Sequence, residues 1–218
     1  MPSADRPTMN AERDGPARGK GATRSLILEA ARQRLLDEGI SRLSTRSVAA
    51  AAGVPLSQLH YHFGSKQQLI LDVLEAEDAR RLARQKDMYG EERPLWQRYE
   101  QACDFLEEDV ESGYVRVLQE MIAAGWSDPA IGARVRELLQ GWFDLLTKIT
   151  VQAERDFGPL GPFPPQELAA LVGQMFMGGE AMILLGFDRA DLPLRSSLRR
   201  IAVLIRQLEE GGNSDARN

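Results

Sequence analysis

The chain contains very few of the residues that bind metals or form disulfide bonds. Cys103 is the only cysteine in 218 residues, and His60 and His62 are the only histidines. A single thiol excludes an intramolecular disulfide bond and a four-thiolate zinc site. Two histidines at i and i+2 of a helix point about 200° apart, which disfavours a shared metal ion. We therefore predict no metal site, no cofactor, and the reducing cytoplasm as the compartment.

Long apolar runs and strand patterns are absent as well. The sequence has no run of 18 apolar residues and no apolar segment near Met1, so we expect neither a membrane span nor secretion. Apolar residues recur at i, i+3 and i+4, whereas alternating runs rich in Val, Ile, Thr and aromatic residues do not occur. The fold class predicted from these patterns is all-α, with about nine helices.

The sequence also lacks the combinations of residues on which enzymes depend. It shows no nucleophile–base pair, metal-binding cluster or glycine-rich phosphate loop. Cys103 could meet a histidine only if the helix carrying His60 and His62 folded back onto the rest of the chain. We predict that the chain is not an enzyme and that Cys103 is a small buried residue.

Charge is distributed unevenly along the chain. Residues 18–66 carry eight basic and three acidic side chains, a net charge of +5, whereas residues 67–218 carry 17 basic and 26 acidic ones, a net charge of −9. A basic module joined to an acidic body is expected where one part approaches phosphates. A nonspecific DNA-packaging protein would be basic throughout, so the acidic body argues against that class.

Glycine and proline divide the chain into segments. We predict a disordered arm over residues 1–21, a three-helix domain over 22–66, a larger helical bundle domain over 67–210 and a frayed tail over 211–218, with a helix over about 66–86 connecting the domains. The predicted helices are about 23–38, 45–52, 55–63, 66–86, 95–112, 114–124, 129–157, 165–187 and 194–210.

Residues 44–66, STRSVAAAAGVPLSQLHYHFGSK, have the spacing of a helix-turn-helix motif. Two helices that cross at a short turn need an apolar residue, a small residue at the contact, a glycine at the turn and two apolar anchors. These are Val48, Ala49, Gly53, Val54 and Leu59. We predict that Gly53 adopts a positive φ angle, where a Cβ atom is unfavourable.

The third helix is predicted to present a polar face to solvent. If Leu59 and Phe63 are buried, the outward residues are Leu56, Ser57, Gln58, His60 and Tyr61, with His62 at the margin. Such side chains can reach base edges in a major groove: Gln58 can pair with adenine, and Leu56 can contact a thymine methyl group. Thr45, Arg46 and Lys66 lie at helix ends, where they can bind phosphates.

The run Leu59-His60-Tyr61-His62-Phe63-Gly64-Ser65-Lys66, together with the first helix and the turn, resembles the DNA-binding domain of the TetR (tetracycline-repressor) family over about residues 23–75. The resemblance implies DNA contacts by Thr45, Arg46, Ser57, Gln58, His60, His62 and Lys66, with Tyr61 as a further candidate. Pro55 stands where the family usually has a capping residue, and His60 where it usually has tyrosine, so the bases that are read stay open.

Aromatic and methionine side chains of the larger domain either line a ligand cavity or fill a core. These are Trp96, Tyr99, Phe105, Met121, Trp126, Trp142, Phe143, Met175, Phe176 and Met177. For any single one the core is the better interpretation, but the resemblance implies an inducer pocket in this domain. Glu180 lies among apolar residues, and it either faces solvent, pairs with an arginine or contacts the ligand.

The last two helices carry more apolar surface than a single domain needs to hide. Met182, Leu185, Leu198, Ile201, Ala202, Leu204, Ile205 and Leu208 are predicted to form a homodimer interface, which the resemblance implies is a four-helix bundle; an intramolecular core is the alternative. The mid-helix pair Gly178-Gly179 suggests a close helix approach there.

The function predicted from these observations is that of a dimeric transcriptional repressor. Its partners are a double-stranded, pseudo-palindromic DNA operator, a second copy of the chain and a small apolar or aromatic effector that releases it from DNA, with no membrane involved. The alternative is a regulator of the same architecture that activates transcription or senses a protein partner, and the sequence does not separate the two.

Overall fold

The computed structural model describes residues 20–215, and within that range the chain is all-α, with nine helices and no strand. The helices are α1 (Lys20–Glu38), α2 (Thr45–Ala51), α3 (Leu56–Phe63), α4 (Lys66–Tyr89), α5 (Leu95–Glu111), α6 (Tyr114–Ser127), α7 (Pro129–Phe157), α8 (Pro165–Leu184) and α9 (Leu194–Asp215). The predicted fold class is confirmed. We call α1–α3 the head and α5–α9 the body; α4 connects them.

Side-chain caps fix where several of the helices begin. Ser44 and Ser65 accept hydrogen bonds from the backbone N–H of Ser47 and Gln68 at the starts of α2 and α4, and Asp128 caps α7 in the same way. These caps satisfy N–H groups that have no partner within the helix. Pro55 precedes α3 without a side-chain cap, so it lies one residue before the helix that it was predicted to begin.

The two chain ends are more helical than predicted. Helix α1 begins at Lys20, so the last two residues of the predicted arm are helical, while residues 1–19 lie outside the described residues. Helix α9 continues to Asp215 through most of the predicted frayed tail. Once the packed turns before it have formed, each further residue adds one backbone hydrogen bond without a new nucleation step. Residues 216–218 also lie outside the described range.

The hydrophobic core is continuous between head and body. One cluster of buried side chains runs from Ile27 in α1 through Leu59 in α3 and Val117 in α6 to Val135 in α7. A second cluster in the body surrounds Tyr99 and Phe176. The head is therefore packed directly onto α6 and α7 and is not attached by α4 alone.

Polar contacts reinforce this junction at the end of α1. Arg116 of α6 donates from Nη2 to the carbonyl oxygen of Leu36 at 2.7 Å, and Glu120 accepts from the backbone N–H of Ile40 at 3.2 Å. Lys66 donates from Nζ to the carbonyl oxygen of Ile40 at 2.8 Å. A movement of α6 must therefore move the end of α1.

Helix α8 is more apolar than the sequence analysis allowed. By length and composition it is the one helix among the described residues that could cross a membrane, yet core helices of soluble proteins pass the same test. Only 22% of its apolar stretch is buried inside the chain. Much of its apolar surface is therefore left for another contact.

Candidate DNA-binding surface and ligand cavity

The turn between α2 and α3 has the predicted glycine geometry. Gly53 has a φ angle of +65°, and the following N–H of Val54 donates back to the carbonyl oxygen of Ala49 at 3.0 Å. Leu59 is fully buried and Phe63 is 3% exposed. These two anchors fix the rotation of α3 about its own axis, and this rotation determines which side chains face solvent.

The opposite face of α3 presents the side chains that the sequence analysis selected. Ser57, Gln58, His60 and Tyr61 are exposed, and the Tyr61 side chain is 66% exposed. Leu56 and His62 are half-buried, and Leu56 packs against the core of the head. The polar tips are therefore available to a partner, while Leu56 contributes as much to packing as to the surface.

His60 is oriented by the end of its own helix. Its Nδ1 lies 3.2 Å from the carbonyl oxygen of Gly64, and because a carbonyl oxygen can only accept, Nδ1 carries the proton in this contact. In the neutral ring Nε2 is then an acceptor. Such an acceptor can receive a hydrogen bond from an adenine or cytosine amino group in the major groove.

The residues predicted to bind phosphates differ in how free they are. Arg46 is exposed, Thr45 is half-buried, and no described carboxylate pairs with Arg46. Lys66 uses its ammonium group to hold the loop between α1 and α2, which leaves fewer N–H donors for DNA. Arg42 in this loop is also exposed. The sequence analysis did not select Arg42, because a single arginine in a loop resembles any solvated charge.

The body contains an apolar cavity of about 250 Å³ between α5, α7, α8 and α9. Two of its three hydroxyl groups are hydrogen-bonded within the chain: Tyr99 donates to the carbonyl oxygen of Leu198 at 3.0 Å, and Thr150 donates to that of Pro165 at 2.8 Å. Apolar side chains such as Leu146, Val172 and Ile205 form the rest of the wall. The cavity therefore suits an apolar group.

Most of the residues predicted to bind the ligand lie elsewhere. Tyr99 lines the cavity, whereas Trp142, Phe176 and Met175 pack around it in the second core cluster. Phe143 packs against Gly173, and Met177 packs on the cluster shared with the head. For these residues the core interpretation applies, because aromatic edges and a Met side chain fill the space between α5, α7 and α8.

Four further predictions of ligand contact need a different correction. Trp126 is 82% exposed, so it belongs neither to the cavity nor to the core. Met121 is buried at the junction with the head, and Phe105 lies beneath the guanidinium group of Arg84 at 3.9 Å from the ring centroid. Trp96 is partly buried, with Arg206 over its ring.

Glu180 is half-buried in α8, and no arginine pairs with it in the described chain. Its side-chain hydrogen bond comes from Gln119, whose Nε2 lies 3.4 Å from Oε2. Burial raises the pKa of Glu180 to about 7, although the hydrogen bond from Gln119 acts to lower it. Of the three alternatives for Glu180, the described chain offers no arginine partner, and the carboxyl group holds a proton more readily than an exposed glutamate does.

The residues predicted to form a dimer interface divide into two groups. Met182, Leu185, Leu204 and Leu208 are exposed. In contrast, Leu198 and Ala202 are 5% and 2% exposed, and Ile201 and Ile205 pack against the same cluster. Leu198 is thus a core residue of one subunit, because α9 turns that side of its apolar face toward α5.

The walls of the cavity include residues that the sequence analysis missed. Leu146, Ile149 and Ala153 of α7 line it together with Tyr89 and Phe157. Their i, i+3 and i+7 spacing is typical of any buried helix face. No sequence signal separated a wall of a cavity from an ordinary core contact.

Comparison with known proteins agrees with the resemblance of the head. Residues 27–73 match the family described as bacterial regulatory proteins, tetR family. The chain is 23% identical over 184 residues to the HTH-type transcriptional regulator UidR of Escherichia coli strain K12. The aligned region covers 80% of this chain and 86% of UidR.

Solved structures share the fold of the whole chain. Transcriptional regulator FadR from Bacillus subtilis, in complex with stearoyl-CoA, has a TM-score of 0.62 and 14% identity, over 82% of this chain and 97% of FadR. A transcriptional regulator from Saccharomonospora viridis, in complex with choline, has a TM-score of 0.69 and 17% identity, over 84% and 94% of the two chains. The head thus matches the tetR family of bacterial regulatory proteins over residues 27–73, and the whole chain shares its fold with solved TetR-family transcriptional regulators.

Proposed function

We propose that the chain is a ligand-responsive repressor that binds a pseudo-palindromic DNA operator as a homodimer. The observation that supports this most strongly is the outward polar face of α3, with Ser57, Gln58 and His60 exposed opposite two buried anchors. Such a face can enter a major groove, where amide and imidazole groups distinguish base pairs. The sequence-based division into a DNA-binding domain over 22–66 and a sensing and dimerisation domain over 67–210 is part of this proposal.

The homodimer is supported by the distribution of exposed apolar side chains. Nine of the thirteen large apolar side chains that are exposed in the described chain lie between Leu171 and Leu208. On α8, Leu171, Met182 and Leu185 follow one stripe, and Gly178 on that stripe has no neighbouring atom within 4 Å of its Cβ position. An apolar stripe with a glycine allows a second α8–α9 pair to approach closely and form a four-helix bundle.

The effector is proposed to bind in the apolar cavity of the body. The two solved neighbours carry chemically different ligands, stearoyl-CoA and choline, so fold similarity does not give the ligand class. The cavity of this chain has an apolar wall, which favours an apolar or aromatic group.

A ligand in the cavity can act on DNA binding through helix packing. Helix α7 lines the cavity and packs against α6, and α6 holds the end of α1 through Arg116 and Glu120. A ligand that prefers one arrangement of α7 and α6 therefore changes the distance between the two heads of a dimer. The ligand lowers the DNA affinity only by as much as it binds more tightly to the arrangement that does not fit DNA.

Selection of bound sequences from random duplex DNA tests the DNA-binding proposal. The full-length protein should enrich an inverted repeat whose half-sites lie about one helical turn, or a multiple of it, apart. The double variant Gln58→Ala/His60→Ala should lose the enrichment, whereas Gln140→Ala, an exposed substitution on α7, should keep it. Enrichment of single half-sites would contradict the dimer, and no enrichment would contradict specific DNA binding.

A reporter gene with the selected sequence inside its promoter then tests repression. Expression of the protein should lower transcription, and the double variant should not. A rise in transcription would instead show that the chain is an activator.

A further inference from the structure

We propose that the ligand of this protein is an amphipathic anion: an aliphatic chain that enters the apolar cavity and an acidic head group that lies against Arg98, Lys148 and Lys86. This inference deepens the proposed function, since it names the chemical class of the effector. It depends on that function only for the consequence of binding, because the binding itself can be measured without DNA.

The first observation is that a second, polar cavity adjoins the apolar one. A neighbouring cavity of about 310 Å³ shares Tyr89, Leu95, Ile149, Ala153 and Phe157 with the apolar cavity. The two cavities therefore lie side by side, and our proposal takes them as the apolar part and the polar part of one ligand site. A ligand that fills both parts must itself have an apolar and a polar end.

The second observation is the charge of the polar part. Lys86, Arg98 and Lys148 line it, and Asp156 is the only acidic residue on its wall. In the described residues, none of the three cations forms an ion pair. The wall of the polar part thus carries three cations and one carboxylate, a charge that favours a head group of negative charge.

The third observation concerns Arg98 and Tyr89 at the boundary. Arg98 donates from Nη1 to the carbonyl oxygen of Tyr89, whereas its Nε is buried and has no hydrogen-bond partner in the structure. A buried donor without a partner is unfavourable. An anionic oxygen at this position would supply the missing acceptor.

Tyr89 adds a second donor to the same boundary. Its side chain lines both parts of the space. Burial raises the pKa of Tyr89 above its ordinary value, so the phenol stays protonated at neutral pH. A protonated phenol beside a guanidinium group is a suitable pair of donors for a carboxylate.

The size of the apolar part limits the length of the chain. A volume of about 250 Å³ corresponds to about eight groups the size of a water molecule, and a methylene group fills a similar space. The apolar part therefore fits an aliphatic chain of about eight carbons. Longer chains would have to extend out of the cavity past Leu204 and Leu208, which line it and are also exposed to solvent.

Calorimetric titration of the full-length protein with three probes of equal chain length tests the proposal. Sodium octanoate should bind at least tenfold more tightly than octan-1-ol or octylamine, and its affinity should fall as salt is added. Equal binding of octanoate and octan-1-ol would overturn the charged head group, tighter binding of octylamine would overturn its sign, and no binding of any probe would overturn the ligand class.

Substitutions then locate the two ends of the ligand. Lys148→Gln and Lys86→Gln, both at exposed positions, should each weaken octanoate binding several-fold and leave octan-1-ol binding unchanged. Arg136→Gln is the matched control, because Arg136 is an exposed cation of α7 that lies twelve residues, about 18 Å, from Lys148. If Arg136→Gln weakens binding as much as Lys148→Gln does, the head-group position is wrong.

Ile149→Trp tests the apolar end, since the larger ring should fill the space and remove binding of both octanoate and octan-1-ol. Thermal unfolding and helix content establish whether the variant folds, and a folded Ile149→Trp protein that binds octanoate normally would overturn the cavity assignment.

DNA-binding assays with octanoate distinguish the two proposals. If octanoate binds but DNA affinity does not change, the effector role fails and the ligand class stands; if DNA binding is specific but octanoate does not bind, the ligand class fails alone.

Discussion

Arg32 in α1 and Glu77 in α4 form an ion pair, with Nε 2.7 Å from Oε1, and the Glu77 side chain is only 2% exposed. Arg81, one turn along α4, also donates to Glu77 and pairs with Asp109 of α5 at 2.9 Å. Burial acts to raise the pKa of Glu77, but the hydrogen bonds from Arg81 and Arg32 outweigh it and the pKa is lowered. This network links the head to α5 through α4.

Removal of the Glu77 charge should destabilise the protein strongly. Glu77→Gln leaves the arginines without their buried partner, so we expect the free energy of unfolding in urea to fall by about 3 kcal/mol at pH 7. Because the pKa of Glu77 is lowered in the folded state, the difference should disappear as the pH falls below the unfolded value of 4.5 and through the folded one. Glu75→Gln, which breaks an exposed pair with Arg134, should cost about 0.5 kcal/mol or less. Equal losses in the two variants would contradict the role of the buried pair.

Two glycines with positive φ angles should respond differently to alanine. Gly53 has open space around its Cβ position, so Gly53→Ala should lower the free energy of unfolding by about 1 kcal/mol through backbone strain alone. At Gly113 the added Cβ would lie 2.2 Å from the carbonyl oxygen of Leu36. Gly113→Ala must therefore push α6 away from α1 and should cost more than twice as much. Chemical denaturation measures both, and a smaller loss for Gly113→Ala would contradict the close approach.

Glu180 should make stability depend on pH in the direction opposite to Glu77. Its pKa is raised from 4.5 to about 7, so between these values the folded state holds a proton that the unfolded state has lost, and stability falls as the pH rises. Glu180→Gln should therefore be more stable than the wild type at pH 8 by about 3 kcal/mol and should match it near pH 4.5. Glu111→Gln, which removes an exposed carboxylate at the end of α5, is the control for the loss of a carboxylate at the surface. A pH-independent difference for Glu180→Gln would exclude titration as the cause.

Arg46 and Gln58 should affect DNA binding in distinguishable ways. Arg46→Gln removes an exposed cation proposed to contact a phosphate, so affinity should fall for all sequences and the salt dependence should weaken by about one unit of slope. Gln58→Ala should reduce the free-energy difference between the matched duplex and one with a changed base pair by about 1–3 kcal/mol. It should leave the slope of the salt dependence unchanged. Fluorescence anisotropy with matched and mismatched duplexes separates the two effects, and identical profiles for the two variants would contradict the assigned roles.

A charge on the α8 stripe should prevent dimerisation. Leu185 is 69% exposed in the chain, so Leu185→Arg should leave the subunit folded and convert the dimer to a monomer, as measured by light scattering with size exclusion. Trp126→Arg is the matched control, because Trp126 is even more exposed but lies outside the stripe. If Trp126→Arg disrupts the dimer and Leu185→Arg does not, the interface lies on another face.

Local chemistry determined much of this protein directly. Ser44, Ser65 and Asp128 cap the helices that follow them, and Gly53 adopts the positive φ angle that the turn requires. Once Leu59 and Phe63 are buried, a period of 3.6 residues decides which side chains of α3 face outward. Each of these features depends on residues a few positions apart. The positive φ angle of Gly53 and the outward face of α3 were predicted from the sequence, whereas the caps by Ser65 and Asp128 were not.

Only the tertiary structure decided what each apolar face packs against. The same spacing placed Leu198 in the core of one subunit and Leu204 on its surface, and it placed Trp142 in the core and Ile149 on the wall of a cavity. Periodicity shows that a side chain avoids water, but burial is non-directional and does not specify a partner. The partner depends on how α5, α7, α8 and α9 cross, and these crossings join residues about a hundred positions apart, such as Tyr99 and Leu198.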